Sequence, residues 1–531
     1  MEKRLFLAVF LSLVVVFIFQ SVLLPQKNVS QTTTSQTVTS VHDNKQSSDL
    51  VVEKPVVVEA VPSFEQKFIS VSNSELQVRF SDKGGDIDTV LLKAFDYELP
   101  SKNIGSIDLF QNEKFILDGN NQGKVQYVFK NADWRVTKEF TVKKNYIIVS
   151  TINILNTSVN SKNLAIKESH FTISTARLDK TNVQSDWSLC EYVIKTRKNF
   201  IRKDNIKELN DKLNKKESGD IEWSAFRDKY FVTIVKSKVP QFNYFINVKN
   251  SKELEIGSEP TNITIEPGKS LTFEYKMYVG PQDLKLLREA DPSFERVMVF
   301  SNWGWLDAIA KFIHWLLGVL HKVLNNWGLS IIAISFLVYG SMYPLTFKSL
   351  VSMKKLQALQ PKMKELQDKH KNSPEKLNKE IVELYRIHQV NPLGGCLPML
   401  LQMPIFVGLY QVLWRSIYFR GESFLWMKDL SLPDQTIKLP FTLPFLGEYF
   451  NILPVLMVMI MALQQNLNMK SMAVTTKEQA DQQKMMAIFF PIMIGFIFYN
   501  MASGLNLYFV IFYLLSTASQ WHITNSTKTS T

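Results

Sequence analysis

The sequence predicts a polytopic α-helical membrane protein with six transmembrane helices plus a large β-sandwich domain on the outer side of the membrane. Three observations carry this. Apolar residues concentrate at the N-terminus and through the C-terminal third of the 531 residues, in blocks near the ~20 residues that a membrane-crossing helix needs. Between them, from about 62 to 285, short runs alternate apolar and polar residues, the period-2 signature of half-buried strands. Lysine and arginine gather beside particular apolar blocks, which marks the cytoplasmic ends. The net charge of +12 would raise nucleic acid as a partner for a soluble protein, but here much of the excess flanks apolar blocks.

Taken in order, Lys3 and Arg4 precede an apolar run from Leu5 to Leu24. It exceeds a usual signal core, and no small-x-small site follows in Ser21–Pro25. Residues 1–24 are therefore expected to be an uncleaved signal anchor with its N-terminus inside. Residues 25–61, rich in Ser, Thr, Gln and Val, read as a flexible tether. The β domain spans 62–285. Its alternating runs include Leu76–Phe80, Val125–Phe129 and Tyr146–Ser150, parted by turn signals at Asp82–Asp86 and Glu266-Pro267-Gly268. Arg197–Lys216 reads as a basic, helix-prone exposed insertion. No paired carboxylates and histidine license an enzymatic reading of this domain.

Residues 303–325 predict an amphipathic helix whose polar stripe is Asp307, Lys311, His314, His321 or Lys322, and Asn325. It is expected to lie in the interface. If it spanned, every later loop would change sides and the most basic one would face outward. A core of five spans follows over 326–521, with spans at Trp327–Leu345, Leu397–Phe419, Ile452–Leu467, Met485–Met501 and Leu505–Trp521. Between the first two lies a helical hairpin, 347–391, with ten Lys and Arg against five acidic residues. Ser373-Pro374 supplies its break. Arg420–Tyr449 reads as an outer loop, and Lys470, Lys477 and Lys484 mark a second cytoplasmic one. Residues 522–531 form a short tail, and both termini are cytoplasmic. Cys190 and Cys396 fall on opposite sides of the membrane and have no partner at metal-ligand spacing.

The joint between hairpin and second core span reads Asn391-Pro392-Leu393-Gly394-Gly395-Cys396-Leu397-Pro398, running on to Phe406. Proline stops the preceding helix and the glycines allow a sharp turn. Asn391, Pro392, Gly394 and Gly395 are read as a hinge. The whole string resembles the signature of the YidC family of membrane protein insertases. The resemblance is strongest from about 325 to 521. It includes Phe80–Lys93 and Trp223–Val232, which resemble parts of the family's large periplasmic domain, itself similar to mutarotase-type sandwiches.

The resemblance implies a bacterial inner-membrane insertase and chaperone that takes up newly made membrane proteins through a hydrophilic groove open to the cytoplasm and to lipid. It implies no enzymatic activity, no cofactor and no metal. Its implied partners are nascent membrane proteins, the Sec translocon with its accessory proteins, membrane lipids and, as a further candidate, the ribosome. Ser335, Tyr339, Gln402, Gln411, Asn506 and Tyr508 are the candidate groove residues. Gln464, Gln465, Asn500 and Gln520 are further polar residues in or near the spans. Any one of these is equally explained as inter-helical hydrogen-bonding glue. Such insertases carry an arginine in a string like F-x-V-R-G-x-M-Y-P, whereas here Phe336–Pro344 has Tyr339 at that place. The competing classes are a transporter or channel with a periplasmic binding domain, and a membrane-anchored sugar enzyme. The spans lack the inverted repeat expected of the first, and the β domain lacks the acid–base pair expected of the second.

Overall fold

The computed structural model describes residues 64–121, 123–174, 190–203, 211–249, 253–301, 303–370, 373–388, 390, 397–443, 446–471 and 477–526. The chain divides into two compact units at Val297/Met298. The expected signal anchor, the tether, the hinge Asn391, Pro392, Gly394 and Gly395, and Cys396 all lie outside the described residues.

The first unit is β-rich. Strands β1 (Phe68–Ser72), β2 (Leu76–Ser81), β3 (Asp86–Leu92) and β4 (Tyr97–Glu98) form a four-stranded antiparallel sheet in chain order. The second sheet contains β5 (Ser101–Lys102), β6 (Ser106–Ile107), β7 (Ile116–Asn121), β8 (Lys124–Lys130), β9 (Trp134–Val142), β10 (Ile147–Asn156), β11 (Lys162–Ser174), β12 (Glu191–Thr196), β13 (Phe200–Lys203), β14 (Lys215–Arg227), β15 (Phe231–Lys249), β16 (Glu253–Ile265) and β17 (Ser270–Pro281). Its order is β13-β12-β14-β15-β17-β10-β9-β8-β7. Strand β15 is long enough to serve two partners, pairing β17 through residues 231–237 and β16 through 244–249, and β16 adds β11.

Alternation explains the layers. Along β10 every second residue is buried, as a strand with one face on a core requires. The sheets meet through the Phe80–Phe140 rings at 5.1 Å and the Tyr97–Phe231 rings at 4.3 Å. The Asp82–Asp86 turn forms because Gly84 and Gly85 adopt φ of +72° and +61°, where a side chain is strained. The stretch 197–216 differs from its expected helix. It carries β13, a 3-10 turn at Asp211–Leu213 and the start of β14, with 204–210 outside the described residues. Pairing of β13 with β12 overrides the local helix preference.

Buried charges tie the strands together. Lys138 donates to Asp86 across the sheets at 2.7 Å. Glu191 lies between Arg227, at 2.6 Å, and Arg202, which binds it through two nitrogens. Burial works to raise the Glu191 carboxyl, but the two guanidinium groups outweigh it and hold it at about 2. Glu168 has a hydrogen bond from Tyr275 at 2.8 Å, which only partly offsets burial, and its carboxyl is pushed up to about 7.

In the second unit a short 3-10 turn and α-helices pack as a bundle. The first unit ends on helix α1 (Leu284–Ala290) followed by a 3-10 helix at Pro292–Val297. The bundle comprises α2 (Gly304–Leu324), α3 (Trp327–Ala358), α4 (Gln360–Lys369), α5 (Pro374–Ile387), α6 (Leu397–Arg415), α7 (Ile452–Ser471), α8 (Lys477–Phe498) and α9 (Ser503–Ser526). Asn325 ends α2 in the left-handed conformation, φ +50°, and Asn326 caps α3 through Leu329 N at 3.0 Å. Two adjacent asparagines thus make the turn, each in a role that suits it. Among the described residues one helix, Trp327–Leu356, is long and apolar enough to cross a membrane, and Ile452–Leu467 and Ala487–Phe498 are shorter apolar stretches.

Helix boundaries differ from the sequence reading in three places. Helix α3 does not stop at Leu345 but runs through Pro344 to Ala358, so the hairpin's first arm is the end of α3 followed by α4. The three lysines expected in a loop lie on helices, Lys470 on α7 and Lys477 and Lys484 on α8, which confines the connection to 472–476. Helix α9 continues past Trp521 to Ser526. The hairpin closes through His370–Glu380 at 3.0 Å and Lys362–His388 at 3.1 Å.

The buried carboxyls make opposite predictions. The folded value of Glu168 lies above the usual 4.5, so the fold favours its protonated form, and stability falls as pH rises from about 4.5 through 7. Glu168→Gln should therefore stabilise the intact chain at pH 8 by on the order of 2 kcal/mol, raising its melting temperature, and change its stability little at pH 4.5. For Glu191 the folded value is depressed. Its stabilisation is full above about 4.5 and is lost as pH falls toward 2, so Glu191→Gln should destabilise at pH 7 by about 3 kcal/mol and lose that effect in acid. Circular dichroism melts of the strand signal across pH read both.

Candidate functional site: a helical bundle packed at one end

The bundle's core is concentrated at one end. On α3 the buried side chains are Trp327, Ser330, Ile331, Ile334, Ser335 and Tyr339, with Ser349 further along; from 340 to 348 none is buried. On α6 none of residues 401–407 is buried, whereas Leu409, Val412 and Leu413 are. On α7 burial runs from Leu453 to Met461 and then ceases through 467, and on α9 residues 503–510 are continuously buried. The helices alternate in direction, so these segments all belong to the end bearing the connections 416–451 and 499–502.

That end is fastened by backbone chemistry. Asp434 Oδ2 accepts hydrogen bonds from Ile452 N at 2.8 Å and Leu453 N at 2.9 Å, capping α7 from eighteen residues away. Ser503 N and Gly504 N donate to Leu432 O and Leu430 O, which caps α9 with the same segment. Asn451 Nδ2 donates to Tyr499 O at 2.8 Å at the end of α8. Four rings then stack in series between α2 and α3: His314 on Tyr418 at 4.8 Å, Tyr418 on Trp327 at 4.7 Å, and Trp327 on His321 at 3.9 Å. The polar stripe expected on α2 is thereby divided. Asp307 and Lys311 pair at 2.9 Å, while His314 is buried and both histidines belong to the stack. The opposite face of α2 exposes Trp305, Phe312 and Trp315. Helix α6 crosses α2 at Gly408, where a Cβ would come within 3.1 Å of Ile309. It packs chiefly there and only brushes α3 and α9.

The other end is loosely packed and is called the open end: α6 packs little against α3 and α9, and its residues 401–407 are exposed or half-buried. Helix α9 keeps one packed stripe of Thr517, Gln520 and Ile523, and Lys354 of α3 donates to Ile523 O at 2.8 Å. The open half is polar in places but uncharged. Gln464 donates to Ser516 at 2.7 Å, and Gln402 and Gln465 are half-buried. No Asp, Glu, Lys, Arg or His occurs in 327–347, 397–414, 452–467, 485–498 or 503–521. The lysines that follow, Lys348, Lys354, Lys355, Lys470 and Lys484, all stand toward the open end.

The six candidate groove residues divide between these halves. Gln402 lies in the open half, and Tyr339 at its boundary, with its ring against Phe512 at 5.5 Å. Ser335, Asn506 and Tyr508 lie in the packed half. There Ser335 Oγ donates to Ile331 O at 2.7 Å within its own helix, and Asn506 Nδ2 donates to Phe498 O at 3.1 Å. Gln411 is half-buried near the packed end. The buried atoms Tyr339 Oη, Tyr508 Oη, Asn506 Oδ1, Gln411 Oε1 and Thr517 Oγ1 have no protein hydrogen-bond partner of good geometry, a concentration of polarity unusual for a dry core. The Gln464–Ser516 pair escaped the candidate set. Glutamine in an apolar run was visible, but its partner one helix away was not.

A bundle whose helices contain long apolar segments free of charged side chains, in a chain with a separate β-rich unit, defines the class as a helical membrane protein with a large appended domain. The chain belongs to the YidC family of membrane protein insertases. The profile described as "60Kd inner membrane protein" matches residues 319–530, and that of the "YidC periplasmic domain" matches 109–316. The membrane protein insertase YidC of Pelobacter propionicus is 30% identical over 555 residues, covering 98% of this chain and 99% of that protein. The YidC of Chlorobium phaeovibrioides is 38% identical over 327 residues, 60% of this chain. That match spans little more than half of the relative's own length, 55%. The crystal structure of an active YidC insertase with its first transmembrane domain resolved aligns over 86% of this chain and 93% of that one, at 20% identity and a TM-score of 0.38.

Removing the remote cap tests the fastening. Asp434→Ala should destabilise the detergent-solubilised protein by about 1–2 kcal/mol and lower its thermal midpoint, with Asp434→Asn intermediate because its amide oxygen can still accept from both backbone N–H groups but without the negative charge.

Proposed function

We propose that this chain is a membrane protein insertase and chaperone of the bacterial inner membrane. It takes newly made membrane proteins into a hydrophilic groove open to the cytoplasm and to lipid, acting alone on small clients and with the Sec translocon on larger ones. The observation that carries the reading is the one-ended packing of the bundle. A client's polar flank must cross ~30 Å of hydrocarbon. A cleft that is polar to half depth and sealed beyond shortens the dry part of that path, while burial of the client's apolar helix supplies the driving force. No nucleotide is required for such a step, and the activity is not enzymatic.

The topology that fits is six spans with both termini cytoplasmic and the β-rich unit in the periplasm. Lysines at the open end of the bundle match the cytoplasmic bias of positive loops. Helix α2, with Trp305, Phe312 and Trp315 on one face, suits the outer interface. The groove is assigned to Gln402, Gln464 and Ser516, with Tyr339 at its head. Ser335, Gln411, Asn506 and Tyr508 support its closed end. The hinge reading of Asn391, Pro392, Gly394 and Gly395 places a turn at the mouth. The Sec translocon and its accessory proteins, the ribosome and lipids are the partners this reading carries.

Single cysteines, in a background lacking Cys190 and Cys396, test the geometry. Gln402→Cys and Ser516→Cys should react with a small membrane-impermeant maleimide from the cytoplasmic side only, and Ser335→Cys should be protected. Labelling of the first two from both sides would instead indicate a channel. Depletion of the protein in its host should leave single- and double-span proteins uninserted, read as loss of protease-protected fragments. Unchanged insertion of every such protein would overturn the assignment.

A further inference from the structure

The segment that fastens the closed end of the bundle also carries a strained, apolar turn. Phe424 and Met427 exchange both backbone hydrogen bonds at 2.9 Å, which leaves Leu425 and Trp426 as a two-residue loop. Leu425, the first of the two, holds φ of +53°. Such loops ordinarily put glycine there, because a side chain in the left-handed region crowds its own backbone. Yet Leu425 is 72% exposed and Trp426 41%. The chain thus accepts backbone strain at a position whose side chain finds little of the protein to pack on.

The tip is held from both sides, so its exposure is not that of a slack loop. Met427 and Leu430 are buried, and Leu430 N donates to Glu422 O at 2.9 Å, closing the base of the excursion. The ring of Phe424 lies against Gly328, where a Cβ would come within 2.1 Å of it. Trp426 Nε1 donates to Oδ2 of the buried Asp434 at 3.5 Å, a long bond.

Gly328 fixes the level of the tip. It is the second residue of α3, and α3 from Trp327 is the helix long and apolar enough to cross a membrane. Leu329, the next residue, is exposed, so this side of the first turn faces out of the bundle. Leu425 and Trp426 therefore stand beside the beginning of that span, at the depth where tryptophan sits between headgroups and hydrocarbon. The charges around the turn cancel, Arg420 and Lys428 against Glu422 and Asp429. No local excess of charge selects a charged partner, which leaves apolar burial as the available force.

We propose that the Leu425–Trp426 turn is a membrane anchor, inserted at the boundary between headgroups and hydrocarbon in the leaflet at the closed end of the bundle. Its occupant is the lipid surface itself, and burial of Leu425 among acyl chains offsets the strain of its backbone. The same segment supplies Asp434 to α7 and Leu430 and Leu432 to α9. The anchor thereby sets the level at which the closed end sits in the bilayer.

The test uses the full chain, lacking Cys190 and Cys396, in vesicles of phosphatidylethanolamine and phosphatidylglycerol. A nitroxide is attached to Leu425→Cys or, as a wet reference, to Glu266→Cys in an exposed turn of the β-rich unit. Power saturation reads its collisions with oxygen, which concentrates in hydrocarbon, and with a water-soluble nickel chelate, which is excluded from it. The ratio of oxygen to chelate collisions should be several-fold higher at 425 than at 266. Equal ratios would mean a tip in water. Shielding at 425 from both reagents would mean a tip covered by protein, whether a second copy or another chain. Either result overturns the anchor.

Leu425→Gly separates strain from anchoring. Glycine suits the turn, so the thermal midpoint in detergent should hold or rise. In vesicles, backbone amide exchange across residues 420–432 should speed several-fold. A lowered midpoint would mean that Leu425 packs on the protein itself, and unchanged exchange would mean that lipid does not hold the segment; each overturns the proposal.

Discussion

The bundle depends on satisfying backbone groups at helix ends that are buried together. The first N–H groups of a helix have no intrahelical partner, and leaving them so away from water is costly. Here one connecting segment answers for two helices. Asp434 serves the start of α7, and the carbonyls of Leu430 and Leu432 serve the start of α9. Once those ends are fixed to the same strip of chain, their first turns are brought side by side, and Met457, Ile460, Leu505 and Tyr508 become a common core. The ring stack on Trp327 performs the corresponding service for α2 and α3 with packing instead of hydrogen bonds. Without these fastenings, apolar helices in lipid would gain little from one another, because neighbouring hydrocarbon is as apolar as their own side chains.

The opposite end shows what the absence of such devices permits. Gly408 draws α6 onto α2 and so away from α3 and α9. A helix cannot pack closely on both sides with one apolar face, and the loosely packed half holds Gln402, Gln464, Gln465 and Ser516, polar side chains that would be expensive against lipid tails. Polarity and looseness therefore arise together. The family relationship gives this arrangement a use, and the physical logic stands beside it.

Much of this was legible in the chain. Alternation in Val125–Phe129 and Tyr146–Ser150 marked strands of the large sheet, and Gly84-Gly85 marked a turn that only glycine makes without strain. Pro374 marked the start of α5 within a residue. Two kinds of feature were not legible. One is tertiary override. Residues 200–203 have the composition of a helix, yet an available neighbour in β12 makes them a strand, and Pro344 fails to end α3 because the helix continues into the hairpin. The other is depth. Ser335, Tyr339, Asn506 and Gln402 are equally polar residues in equally apolar runs. Nothing in their spacing says which half of the bundle will be filled. That follows from where α6 crosses α2, a property of two helices at once.

A bundle fastened at one end only behaves mechanically as a set of cantilevers. Deflection at the free tip of a beam grows steeply with its unsupported length, while the strain concentrates at the clamp. Helix α6 is held over its packed segment, while α3, α7 and α9 stay joined to one another beyond theirs through Lys354–Ile523 and Gln464–Ser516, so the tip of α6 can part from the other three by a side-chain width through slight bending distributed over several turns. The junction at Trp327, Asp434 and Ser503 hardly registers the movement. Widening between α6 and the other three then leaves the Lys354–Ile523 and Gln464–Ser516 contacts in place and needs no second stable conformation. Its extent would be set by what lies between the tips and by the lateral pressure of the surrounding lipid, as with the jaws of tweezers whose spring is the join.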